Sequence, residues 1–197
     1  MDASTLQTLA NQRRADAITM IHRAQTGHTG GAMSALDVLS VLYYDVLTVR
    51  PQEPLWPERD RFLLSKGHSV EGYLALLADR GFFPKAELRT FSQAGSRLIG
   101  HPNNQTPGVE VCTGALGHGL PVGVGMALAA RRTGRRYHTY VLMGDGEQAE
   151  GSVWEAAMAG ANYGLDNLTA IIDRNGLQIS GSTEDVMALE NFRAKWE

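Results

Sequence analysis

Two short apolar segments of this 197-residue chain, Tyr137 to Met143 and Leu168 to Asp173, each end in a glycine-bearing turn, Gly144-Asp145-Gly146 and Arg174-Asn175-Gly176. Between them lies Glu150 to Tyr163, rich in alanine and stopped by Gly164. Apolar runs of roughly four to eight residues bounded by turn signals read as buried strands, and the alanine-rich stretch reads as a helix. Strand, helix, strand in that order closes right-handed and pairs the strands in parallel. A parallel sheet needs cover on its faces. The sequence therefore predicts an α/β fold: a three-layer domain with a mostly parallel sheet and helices on both faces.

The rest of the chain fits that frame. Leu6, Leu9, Ala17, Ile18, Ile21 and Ala24 give a helix over Thr5 to Gln25, with Gly27 as its stop. After the loop Gly27-His28-Thr29-Gly30-Gly31, Ser34 and Asp37 resemble a capping box that opens a second helix carrying Leu36, Leu39, Val46 and Leu47. Pro51, Pro54 and Pro57 mark an extended connection. Arg61 to Ser65 reads as a strand, Lys66-Gly67-His68-Ser69 as a loop and Val70 to Arg80 as a helix ending at Gly81. Pro84 to Phe91 is a short helix, Gly95 to Val109 is irregular, Gly114 to Gly119 is a glycine loop, and Leu120 to Arg132 is a helix of small residues. There is no internal repeat, and length and continuity suit one domain over residues 1–197.

Composition narrows the function. Net charge is -3 with the signs interspersed, so no basic stripe argues for nucleic acid. The first residues lack the cationic and apolar regions of a signal peptide, and the longest apolar stretch, Leu120 to Ala130, is too short for a bilayer; the expectation is no membrane partner. Cys112 is the single cysteine, which fits a reducing cytoplasm, and it reads as a small buried filler.

The sharpest chemical signal is Gly144-Asp145-Gly146 followed by Asn175 thirty residues after the aspartate. Both lie just past the C-terminal ends of expected parallel strands, where ligands bind in the crevice of such sheets. A carboxylate and an amide oxygen meeting there suit a hard cation such as Mg²⁺, with phosphate oxygens and water completing an octahedron. The carbonyl of Leu177 is a third candidate oxygen, and Gly146 leaves room for phosphates. Either motif alone is an ordinary turn; the βαβ unit between them lifts the pair above that. Gly117-His118-Gly119 runs on into Leu120, Pro121 and Val122, so a nicotinamide fingerprint is rejected for lack of its third glycine.

These motifs resemble the thiamine-diphosphate enzymes, and others resemble transketolase: Gly27-His28-Thr29-Gly30-Gly31, Asp60-Arg61-Phe62 through Ser65-Lys66-Gly67-His68, Gly100-His101-Pro102, and Thr113 to Gly119. The likeness runs in order from about Arg14 to the last residue, and it is to the N-terminal subunits of split transketolases. The resemblance implies that Asp145, Asn175 and the Leu177 carbonyl hold a divalent cation, that Gly146 lies beside the diphosphate of thiamine diphosphate, and that His68 contacts it. It places Gly114 and Leu116 on a loop touching the cofactor, His28 and His101 on the sugar side as proton-moving groups, and Glu150 at the cofactor near the partner half. Imidazole suits such work, since it donates to phosphate and shuttles protons near neutral pH. His28, His68 and His101 each adjoin a glycine; His22 and His138 lack that context and read as structural.

The implied activity is transfer of a two-carbon ketol unit between sugar phosphates, with a C-terminal subunit supplying the pyrimidine-binding domain and a hetero- or homo-oligomer as the result. The α subunit of a 2-oxo-acid dehydrogenase shares the metal signature, and a non-catalytic binding module is a further alternative; the Gly-His motifs favour transketolase. Thr29 stands where the family usually has proline and His118 where it has glutamine, so His118 is given no catalytic role. The chain stops at Glu197, earlier than such a domain normally ends, which leads us to expect an uncovered sheet edge, a poorly protected Trp196 and an inactive isolated chain.

Overall fold

The computed structural model describes residues 1–197. Its backbone falls into two units, Met1–Asp60 with Gly67–Gly114, and Arg61–Lys66 with Ala115–Glu197.

The first unit is built on three helices. α1 (Ala3–Ala24) starts at Asp2, whose side chain accepts from the Thr5 N–H at 2.7 Å, and buries Ala10, Ala17 and Met20. α2 (Thr29–Val41) continues into a wider turn over Leu42–Val46. α3 (Val70–Arg80) is buried from Val70 through Ala78 and ends on Gly81 at φ 87°, the left-handed conformation that closes helices. The phenols of Tyr43 and Tyr73 meet at 2.7 Å in this core, and burial pushes both above the usual tyrosine range.

The expected capping box is absent. α2 begins at Thr29, so the Ser34 hydroxyl donates to the Gly31 carbonyl within the helix, while Asp37 accepts from Arg14 at 2.7 Å. Glycine normally argues against a helical start. Here its lack of a side chain is used for packing, since a Cβ on Gly31 would stand 2.6 Å from the Ser69 hydroxyl.

The second unit holds the sheet: β1 (Arg61–Leu64), β2 (Thr139–Gly144) and β3 (Leu168–Asp173), in that order and all parallel, with Val141 opposite Leu63 on one side and Ala170 on the other. β2 starts two residues later and ends one later than the sequence pattern suggests. The α/β class and the parallel pairing are as expected. α4 (Gly119–Arg132) packs on the sheet, close enough that a Cβ on Gly123 would lie 2.6 Å from Val141, and α5 (Gly151–Asn162) packs on α4. His138 is structural, its Nε2 sharing a 2.8 Å hydrogen bond with the Thr169 hydroxyl. β3 is half-exposed along its whole length. The hairpin of β4 (Leu177–Gln178) and β5 (Gly181–Ser182) leads to α6 (Thr183–Val186) and α7 (Phe192–Trp196).

Two side chains depart from expectation. Trp196 is half-buried, its ring 5.6 Å from that of Trp154, because α7 folds back onto the start of α5. Cys112 is exposed, with its thiol 3.6 Å from the Asn104 amide oxygen. It lies in the irregular stretch before the glycine loop, which has no periodic face to turn inward.

Candidate functional site

In the first unit the three Gly-His sequences converge. His28 directly precedes α2, His68 lies in the single turn Gly67–Ser69 that leads into α3, and His101 sits in an irregular segment. The His28 ring centroid is 5.8 Å from that of His68 and 5.8 Å from that of His101, both edge to face. Backbone presses against these rings where glycine permits it. Gly114 has φ 150°, and a Cβ there would come within 2.9 Å of the His101 ring. His28 and His101 are exposed and His68 is half-buried.

Glu71 was not singled out by sequence reasoning. It is fully buried near the start of α3, and its Oε1 accepts the His28 backbone N–H at 2.9 Å. Its place in a long apolar run, Val70 to Ala78, was the available signal: a carboxylate in a buried stripe needs a reason.

In the second unit Asp145 is 1% exposed at the end of β2. Its Oδ1 accepts from the Gly146 N–H at 2.9 Å, and its Oδ2 accepts from the Gly176 N–H at 2.7 Å and from the Arg174 guanidinium at 3.0 Å. Arg174 also donates to Thr183 and Glu184, and the bond to Asp145 leads in holding its guanidinium above the usual range. Asn175 makes an Asx turn, its Oδ1 accepting from the Leu177 N–H at 2.9 Å. The turns after β2 and β3 thus meet at Asp145, as the parallel pairing requires.

Glu147, two residues beyond Asp145, carries the second buried carboxylate. Oε1 accepts from the Ser65 hydroxyl and from the Gly117 N–H at 2.9 Å, and Oε2 accepts from the Gly144 N–H at 3.0 Å. It fastens the ends of β1 and β2 and the glycine loop into one piece. Beside it the fully buried Lys66 ammonium meets Asp173 at 2.6 Å at the end of β3. Leu116 is half-buried on the glycine loop, and Glu150 is exposed where α5 begins.

No group of three histidine, cysteine, aspartate or glutamate side chains could hold a metal ion. A cation at Asp145 would therefore draw on neutral oxygens as well, and the Asn175 amide and the Leu177 carbonyl are of the hard type that Mg²⁺ accepts. Gly146 is hemmed in, since a Cβ there would stand 3.1 Å from Gln178. The donor set fits a divalent cation, provided that Arg174 yields its place on Oδ2.

Comparison with known proteins identifies the family. The family described as transketolase, thiamine diphosphate binding domain, matches residues 5–197. The chain is 53% identical over 196 residues to a subunit of the apulose-4-phosphate transketolase of Phocaeicola vulgatus, covering 100% of this chain and 70% of that one. It is 41% identical over 192 residues to the 6-deoxy-6-sulfo-D-fructose transketolase subunit of a Clostridium species, covering 97% and 70%. The crystal structure of transketolase from Campylobacter jejuni superposes with a TM-score of 0.94 at 34% identity, over 100% of this chain and 32% of that protein. The chain thus spans about two thirds of the related subunits and about a third of the longer enzyme. On sequence and structure together, it belongs to the transketolase family, as its thiamine diphosphate binding domain.

Proposed function

We propose that this chain is the diphosphate-binding half of a split transketolase, transferring two-carbon ketol units between sugar phosphates together with a subunit that carries the pyrimidine-binding domain. The observation that carries this reading is the meeting of three imidazoles around His28, which a bare cation–diphosphate site would not need. The family match over nearly the whole chain supports taking residues 1–197 as one diphosphate-binding domain.

In this reading Asp145, the Asn175 side chain and the Leu177 carbonyl hold Mg²⁺ or another divalent cation. Gly146 lets the backbone approach the diphosphate, His68 donates to it, and Gly114 and Leu116 line the cofactor. Glu150, exposed at the start of α5, is placed for the cofactor end that the partner completes. His28 and His101 hold and move protons on the sugar. Thiamine diphosphate, when bound, supplies the electron sink for C–C cleavage. The two named relatives act on different sugars by name, so the donor and acceptor are left to assay. The relatives named as transketolase subunits support assembly with a partner in a hetero- or homo-oligomer. No helix is long and apolar enough to cross a membrane, and a single cysteine fits a reducing cytoplasm.

The test is reconstitution. Mixing the chain with its matching second subunit, thiamine diphosphate and Mg²⁺ should give ketol transfer from a ketose phosphate to an aldose phosphate, while each chain alone gives none. Ketol transfer by the purified single chain would overturn the split arrangement. Decarboxylation of 2-oxo acids in place of ketol transfer would move the pair to the dehydrogenase class.

A further inference from the structure

Glu71 is a carboxylate in the wrong kind of place. Its neighbours on α3, Val70, Gly72, Tyr73 and Leu74, are all buried, and it is itself 0% exposed. Burying a carboxylate is unfavourable unless hydrogen bonds replace its hydration. Only one oxygen has that compensation: Oε1 accepts the His28 N–H, while Oε2 is buried with no hydrogen-bond partner. The chain passes directly over this group, since a Cβ on Gly27 (φ 147°) would stand 2.8 Å from Oε1. Anchoring one backbone N–H does not require a charge, because a neutral amide oxygen would serve.

The second neighbour of Oε1 gives the charge a use. The His28 Nδ1 lies 3.8 Å away. That is beyond a hydrogen bond, and a movement of about 1 Å brings it to bonding distance. Hydrogen bonds of this kind are often long before substrate arrives and tighten afterwards. The partner of one imidazole nitrogen decides which nitrogen carries the proton. A carboxylate at Nδ1 favours the Nδ1–H tautomer and leaves the Nε2 lone pair free. The other titratable groups facing the ring are His68 and His101, and neither supplies a fixed negative charge.

We propose that Glu71 is the positioning residue of His28, holding its backbone and its Nδ1 proton so that Nε2 is the nitrogen that takes a proton from the sugar. The last clause rests on the transketolase reading; the tautomer does not.

The experiment uses the full chain labelled with ¹⁵N-histidine, with two-bond proton–nitrogen correlation reporting the tautomer and loss of signals in His28→Asn assigning them. The wild-type chain should show His28 mostly as Nδ1–H. In Glu71→Gln the amide oxygen, in the place of Oε1, can still accept the His28 N–H but no longer carries the charge that favours a proton on Nδ1, so the ratio should invert to mostly Nε2–H, the form a free neutral imidazole prefers. A wild-type His28 that is mostly Nε2–H overturns the proposal, and so does an unchanged ratio in Glu71→Gln. Should that variant not fold, the wild-type spectrum alone decides. In the reconstituted pair, Glu71→Gln should lower kcat on the order of a hundredfold and alter thiamine diphosphate affinity less than about twofold, the range that general base catalysis commands. An inverted tautomer with undiminished ketol transfer would uphold the positioning role and remove His28 from the chemistry.

Discussion

In the second unit, both oxygens of Asp145 and both of Glu147 accept hydrogen bonds, and the two carboxylates are 1% and 2% exposed. In the first unit the candidate groups are imidazoles, two of them exposed, with the His28 ring centroid 5.8 Å from each of the other two. The difference follows from what each side chain can tolerate. A buried carboxylate left short of donors is expensive, so it is found where backbone N–H groups at strand ends can saturate it. An imidazole that must gain and lose protons needs access and some freedom of tautomer. On the proposed function, one unit holds a fixed charge pattern and the other lets charge change. Glu71 is the exception in the first unit, a saturable charge with only half of its hydrogen bonds made.

The comparison breaks most visibly at Glu147. Glu147→Ala removes the acceptor for Ser65, Gly117 and Gly144 together, leaving buried donors unpaired. Stability should fall by about 3 kcal/mol, read as a lower urea midpoint of the chain, and the glycine loop should lose amide-exchange protection. An unchanged midpoint would mean that the carboxylate is not what ties the strand ends together.

Next in size is the loss of cation and cofactor affinity at Asp145. Asp145→Ala should weaken Mg²⁺-dependent thiamine diphosphate binding to the reconstituted enzyme by roughly a hundredfold, or about 3 kcal/mol. Asn175→Ala should act on the same site, so the double variant should lose less than the sum of the singles. Calorimetric affinities indistinguishable from wild type would remove Asp145 as the metal ligand.

The smallest and most discriminating contrast is between two histidines of the first unit. His101→Ala should lower sugar turnover by roughly tenfold to a hundredfold while cofactor affinity holds. His68→Ala should weaken the cofactor itself by about tenfold, the loss of one charge-assisted bond to phosphate. Steady-state kinetics beside cofactor titration separates them, and a reversed pattern would exchange their roles.

Much of this arrangement can be read from the chain. The β2–α5–β3 succession, its parallel pairing and the two glycine turns after the strands follow from apolar runs cut short by residues that favour turns. The Gly-His sequences at His28, His68 and His101 are equally local, and these three converge as imidazoles. The helix start at Thr29 was hidden because Gly30 and Gly31 signal a loop by propensity, whereas the lack of a Cβ at Gly31 is what the contact with Ser69 demands. Cys112 was misplaced because a lone small apolar residue is usually inside, and its segment has no face that turns inward.

The amino-acid order by itself settled the class of fold and which residue types stand at the strand ends, because turn chemistry and periodicity act over a few neighbours. The tertiary structure alone decided what the buried charges do. Glu71 meets His28 across 43 positions, Ser65 meets Glu147 across 82, and Lys66 meets Asp173 across 107. No local pattern names a partner so far along the chain. A buried charge is stabilised only by the donors and counter-charges that folding brings to it, and those depend on the path of the whole backbone.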